Sequence, residues 1–161
     1  MKIREYSRRK NRYRKIPNRY VPGNLTSKDK KIQLTMLKKS RRMYKNKKYF
    51  TRKKVASFKN KKSSHIQNAQ RIYGVKTIVP NQELARKTGC SLNALNQIVK
   101  KGEGAYYSSG SRPNQTARSW GLARLASSVT GGNAAIVDFH ILKDGCDHKK
   151  KAYTLANKRM K

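Results

Sequence analysis

Between Ser108 and Arg112 the chain reads SSGSR: three hydroxyls, a glycine and a guanidinium within five residues. Glycine lets backbone N–H groups approach an oxyanion, and hydroxyls with a guanidinium can complete its shell. Ser109, Ser111 and Arg112 are therefore candidate anion ligands. A helix starting near Asn114 or Thr116 would point its positive end at the same place. The same residues suit a fixed turn better, with Arg112 paired to Asp138 or Glu103 and the hydroxyls satisfying backbone groups. His140, Cys146 and His148 lie near Asp138 and Asp147, but the spacing matches no closed zinc pattern, and no metal or cofactor is expected. With 3 histidines, 7 acids and no lysine-bearing phosphate loop, an enzyme is the least supported class.

A second constellation lies in residues 81–102, NQELARKTGCSLNALNQIVKKG. Asn81 is placed to cap a first helix and Gly89 to make a left-handed turn, with Ser91 capping a second helix that Gly102 ends. Leu84, Ala85, Cys90, Leu95 and Ile98 occupy the apolar positions of a helix-turn-helix, which makes Cys90 a packing residue. Ser91, Asn93, Asn96, Gln97 and Lys100 fall on or near the exposed face, where the amides suit adenine edges and the lysine a phosphate. An ordinary helical hairpin with a solvated face has the same pattern.

What must position these residues is an unusually cationic chain. Of 161 residues, 41 are Lys or Arg and 7 are acidic, a formal charge of +34. Such a surplus points to a polyanion, or to an assembly containing one. Residues 1–62 hold 25 of the basic residues and 2 of the acids. Candidate anion contacts there are Arg4, Arg8, Arg9, Arg12, Arg14 and Arg19, then Lys38, Lys39, Arg41 and Arg42. Tyr6, Tyr13 and Tyr20, seven apart, are candidate anchors along a basic arm. Mean hydropathy of −0.96 leaves material for a small core only. No segment approaches the ~20 apolar residues of a bilayer span, so membrane insertion is not expected. Two cysteines are too few for a disulfide scaffold and fit idle thiols in a reducing compartment.

The expected fold is mainly α with a minor β component: a small helical domain including the helix-turn-helix-like hairpin, a long basic extended N-terminal arm and a short basic C-terminal tail. Residues 1–25, with Pro17, Pro22 and Gly23, form the arm. Residues 26–62 supply a basic helix to about Lys45 and a connector anchored by Tyr49, Phe50, Val55 and Phe58. Residues 63–146 form the globular domain, and 147–161 the tail. Within the domain a helix runs from Ser64 to Gly74, and residues 77–79 make a short strand or a packed link. Ala105–Ser108 reads as a strand, and a core helix carries Trp120 and Leu125 to about Thr130. A last apolar segment over 134–142 places Ile136 and Phe139 in the core.

GAYYSSGSRPNQT (104–116), SWGLARLASSVTGG (119–132) and AAIVDFHIL (134–142) resemble the signature of a poorly characterised domain family of small basic proteins, found chiefly in large double-stranded DNA viruses of algae and protists and in some phages. The likeness is densest over 102–146 and extends back to about residue 26. It brings no catalytic residues to carry over. It implies a virion setting: a minor capsid or internal cement component on the inner side of the capsid, made in host cytoplasm or nucleus. Its partners would be the major capsid protein, other minor capsid proteins and double-stranded DNA. The alternative is a DNA-binding or genome-packaging protein, indifferent to sequence, that uses the helix-turn-helix-like unit as a clamp.

Overall fold

Side-chain caps mark the starts of four of the helices. In the computed structural model, which describes residues 15–161, Thr26 accepts from the Asp29 N–H and opens α1 (Ser27–Lys45). Ser63 precedes α2 (Ser64–Tyr73), which Gly74 ends in the left-handed region at φ 62°. Asn81 accepts from the Leu84 N–H ahead of α3 (Gln82–Thr88), and Ser91 from the Ala94 N–H ahead of α4 (Leu92–Ser108). Thr116 and Ser119 form a reciprocal capping box at the start of α5 (Ala117–Val129). Two short helices, α6 (Asn133–Val137) and α7 (Phe139–Gly145), and then α8 (Lys151–Met160) complete the eight among the described residues. No helix among them is long and apolar enough to cross a membrane.

Gly102 does not end the second helix of the hairpin. A Cβ there would lie 2.6 Å from the Gly121 Cα, and one on Gly121 would lie 2.7 Å from the Val99 carbonyl oxygen. The two glycines are the point where α4 and α5 cross in close contact, which only residues without a Cβ allow. Because α4 continues to Ser108, the strand expected over Ala105–Ser108 is helical. Residues 77–79 form a packed link with Ile78 buried. Among the described residues the β component reduces to one isolated bridge, Cys90 with Cys146.

That bridge also corrects the cysteine expectation, because Cys90 and Cys146 form a disulfide. Ser91 N–H donates to the Gly145 carbonyl at 2.7 Å and Asp147 N–H to that of Gly89 at 2.8 Å. The hairpin turn is thus pinned to the end of α7. Cysteine count alone could not reveal a pairing across 56 residues. In the chain-entropy account, closing a loop of that size stabilises by about 4 kcal/mol.

The core lies around α5, against which α2, α4, α6 and α8 pack. Leu84, Leu95, Ile98, Leu125, Val129 and Leu142 are all but inaccessible, each contributing on the order of 1.5–3 kcal/mol. The expected C-terminal tail is the helix α8, whose Ala152 and Ala156 are fully buried in this core. Two expected core residues lie elsewhere. Ile136 is 45% exposed, and Trp120 is half-buried with its ring edge-on to Tyr20 at 6.0 Å. Asp138, fully buried at the α6–α7 junction, accepts from Arg124 Nε at 2.9 Å and Nη2 at 2.7 Å and from Ser128 Oγ at 2.8 Å. Lys101 Nζ lies 3.1 Å away. Burial pushes this carboxyl up, but the Arg124 and Ser128 hydrogen bonds outweigh it and hold the group below the ordinary carboxylate range.

A smaller apolar cluster of Leu25, Met36 and Val55 lies between α1 and the connector. The chain is already folded in this region before α1. Tyr20 and Leu25 are buried, and the Tyr20 carbonyl accepts from Gln33 Nε2 at 3.2 Å. The arm expectation for residues 1–14, with Tyr6 and Tyr13, lies outside the described residues.

Candidate nucleic-acid interface

Helix α1 carries Lys28, Lys31, Lys38, Arg42 and Lys45, all exposed, at steps of three, four or seven residues. Such steps place them in one row, which at 1.5 Å per residue is about 25 Å long. The connector adds exposed Lys53, Lys54, Lys59, Lys61 and Lys62. The one acid of α1 does not interrupt the row. Asp29 Oδ2 accepts from the Ser57 N–H at 2.9 Å and the Ser57 hydroxyl at 2.5 Å, and those bonds hold its carboxyl below the ordinary range. The acid fastens the connector to the start of α1, while the cations face out.

The opposite face of α1 is locked to the bundle by polar contacts. Ser40 Oγ donates to the Tyr107 carbonyl at 3.1 Å and Arg41 Nε to that of Ser109 at 2.8 Å. Arg52, from the connector, is buried over the Tyr106 ring, its guanidinium carbon 3.8 Å from the centroid. Its Nη1 donates to Ser40 Oγ at 2.9 Å and the Tyr106 carbonyl at 2.8 Å, and its Nη2 to Ser111 Oγ at 2.8 Å. Burial lowers its pKa. Asn114, at φ 64°, completes the lock, accepting from the Val55 N–H at 2.7 Å and donating to the Val55 and Phe58 carbonyls at 3.2 and 3.4 Å.

These contacts place the sequence candidates. Ser109 and Gly110 N–H groups both donate to the Ala105 carbonyl, and buried Ser111 sits between Arg52 and the Arg112 carbonyl, to which it donates at 2.9 Å. The Ser109 and Gly110 N–H groups and the Ser111 hydroxyl are therefore spent within this segment. Arg52 supplies its guanidinium, while Arg112 is exposed. Asp138 is taken by Arg124, and Glu103 lies 3.6 Å from Arg118. Lys38, Lys39 and Arg42 are exposed on α1, with Lys39 Nζ 4.5 Å from the Phe50 ring centroid; Arg41 faces the turn. Arg19 lies over the Tyr20 ring. Ser91 is the cap of α4, and Asn93, Asn96, Gln97 and Lys100 are exposed together along that helix. Arg4, Arg8, Arg9, Arg12 and Arg14 lie outside the described residues. Of the metal candidates, Cys146 is in the disulfide and the His148 ring stacks on Tyr153 at 3.9 Å.

One group escaped the sequence reading as a site. Tyr44 from α1, Tyr49 from the connector and Tyr107 from α4 cluster at the surface, with ring centroids 6.2 Å apart for Tyr44–Tyr49 and 4.9 Å for Tyr49–Tyr107. The stretch YKNKKYF (44–50), in which aromatic and basic residues interleave, was the available signal.

The model of a family of unknown function (DUF5824) matches residues 17–147, and the chain belongs to that family. No curated protein and no solved structure matches it.

Proposed function

We propose that this member of the family is a non-catalytic structural protein of a virion, seated on the inner side of the capsid. There it bridges the major capsid protein and other minor capsid proteins through its basic segments and lays the α1 face against the packaged genome. The observation that carries the polyanion contact is the row Lys28, Lys31, Lys38, Arg42 and Lys45, with Asp29 turned away from it into the connector. Cations held on a folded face at helical spacing can neutralise phosphates in register, and release of the phosphates' counterions supplies affinity without sequence preference. The viral setting rests on the resemblance of residues 102–146.

The test is a salt titration of the full chain with mixed-sequence duplex DNA. The logarithm of affinity should fall steeply and linearly with that of salt, and Lys38→Glu/Arg42→Glu should flatten the slope by about 2. Affinity that ignores salt, or a slope unchanged in the double variant, would remove α1 from the interface. Cross-linking inside intact particles tests the capsid partners. A helix-turn-helix that reads sequence is favoured by one observation of its own, the exposed amides Asn93, Asn96 and Gln97 on α4. Under that reading, Asn96→Ala/Gln97→Ala relaxes a base preference rather than the salt slope.

A further inference from the structure

The exposed α4 residues Asn93, Gln97 and Lys100 are followed at the same helical steps by Gly104 and Tyr107. The tyrosine cluster stands at the C-terminal end of this row. A Cβ on Gly104 would come 4.0 Å from the Tyr44 hydroxyl, so the Tyr44 tip lies beside the bare backbone of α4. Tyr49 packs on Tyr107 at 4.9 Å and is still 69% exposed, the most exposed large hydrophobic among the described residues. Tyr44 is 38% exposed.

The turn that presents Tyr49 is well defined. Lys47 and Lys48 N–H groups donate to the Tyr44 and Met43 carbonyls at 3.0 and 2.9 Å. Lys47 is left-handed at φ 59° and reverses the chain. Lys45, Lys47 and Lys48, all exposed, lie between Tyr44 and Tyr49 in the chain. Exposed phenol rings on a segment rich in exposed ammonium groups are matched by a partner with flat apolar faces joined by phosphates. Unpaired nucleobases have that chemistry, whereas a duplex hides its base faces in the stack.

We propose that Tyr44, Tyr49 and Tyr107 form a stacking platform for single-stranded nucleic acid, with Lys45, Lys47 and Lys48 on its phosphates. Tyr49 takes the first base, and the strand continues along α4 past Lys100 towards the exposed amides of Gln97 and Asn93. The proposal rests on the nucleic-acid reading above and deepens it by naming the form of nucleic acid that this end of the surface selects.

The experiment measures binding of the full chain to a labelled oligothymidine about 20 nucleotides long and to a duplex about 20 base pairs long, in the same buffer. Tyr49→Ala should weaken oligothymidine binding roughly 5- to 100-fold, the range of one lost stacking contact. Duplex affinity and the salt slope should stay within about twofold, since no charge changes. Tyr49→Phe should keep the single-strand affinity, because it keeps the ring. Circular dichroism and melting of each variant check that the exposed substitution leaves the fold intact. If the wild type binds both forms and Tyr49→Ala binds oligothymidine as tightly, the platform is overturned and the cluster falls to a protein partner, while the α1 interface stands. Equal losses for single strand and duplex would also overturn it. If the wild type binds neither form, the nucleic-acid reading fails and this proposal fails with it.

Discussion

Where α4 meets α5, Gly102 and Gly121 bring the backbones together and apolar side chains such as Ile98 and Leu125 fill the space beside them. Where α1 meets α4, buried Leu37 and Tyr106 are joined by polar contacts of Ser40, Arg41 and Arg52 on backbone carbonyls and hydroxyls. The first interface draws on burial of apolar area. The second buries Leu37 and Tyr106 and has the small apolar cluster of Leu25, Met36 and Val55 beside it. A helix with a row of outward cations has fewer positions left for leucine, so the basic layer adds to this apolar contact a set of polar contacts. Each of these adds little net stability but leaves a costly orphan if its partner goes. The bundle should therefore be the stable unit and the basic layer the part that opens first.

The largest effect is expected inside the bundle, at the fully buried carboxylate of Asp138. Asp138→Ala should destabilise by on the order of 3–5 kcal/mol, because Arg124 is left without its carboxylate. Asp138→Asn sharpens the point through pH. The native carboxyl titrates below its ordinary value, so it adds stability that is complete above the unfolded pKa, about 3.9, and is lost as pH falls through the native one. Urea melts of the wild type should show stability falling below about pH 4–5, and in the variant that part of the fall should be absent. Identical acid limbs would move the acid sensitivity elsewhere.

Next in size is the joint between the two regions. Arg52→Lys keeps a charge but cannot reach Ser40, the Tyr106 carbonyl and Ser111 together. It should cost roughly 2–3 kcal/mol through unsatisfied buried groups. The loss should fall on the layer: limited proteolysis should cut within residues 46–62 while residues 63–161 stay protected. Simultaneous loss of both regions would mean that they fold as one unit.

Sequence reading reached far into the bundle and stopped at this joint, for a physical reason. Asn81, Gly89, Ser91 and Thr116 act locally, within three or four residues, so their caps and turns could be read from spacing. Gly102 could not, since a helix-ending glycine and a helix-crossing glycine look alike until the partner Gly121 is placed. Ala105–Ser108 then read as a strand because the helix had been ended too soon. The SSGSR turn was identified as a structured place, but its arginine comes from 59 residues away. Among the Lys and Arg of the described residues 15–62, nothing local marks Arg52 as the buried one. The cation row on α1 was legible in composition and period. The tyrosine cluster needs three segments to meet and was not.

A smaller effect tests how Trp120 couples the N-terminal segment to α5. As a half-buried ring edge-on to Tyr20, it should cost about 1–2 kcal/mol on Trp120→Ala, less than the 3–5 of a fully buried aromatic. Tyr20→Ala should remove the same contact, so the double variant should cost less than the sum of the two singles. Additive losses would show the two rings to be energetically independent.

The smallest expected change is a gain, and it lies in the layer. Lys47 is a non-glycine residue at φ 59°, a conformation that costs a side-chain-bearing residue roughly 1–2 kcal/mol and glycine almost nothing. Part of that relief is cancelled because glycine also enlarges the unfolded ensemble. Lys47→Gly should therefore stabilise by about 0.5–1 kcal/mol. The gain should be local, read as slower hydrogen exchange of the Lys48 N–H that closes on the Met43 carbonyl, with core amides of α4 and α5 unchanged. Loss of a positive charge from a crowded cationic turn would stabilise too, and Lys47→Asn separates the causes. Asparagine removes the charge and tolerates the left-handed region less well than glycine. If the two variants slow exchange equally, repulsion dominates the turn. If glycine alone does so, backbone strain is what the chain bears to turn Tyr49 back beside Tyr44.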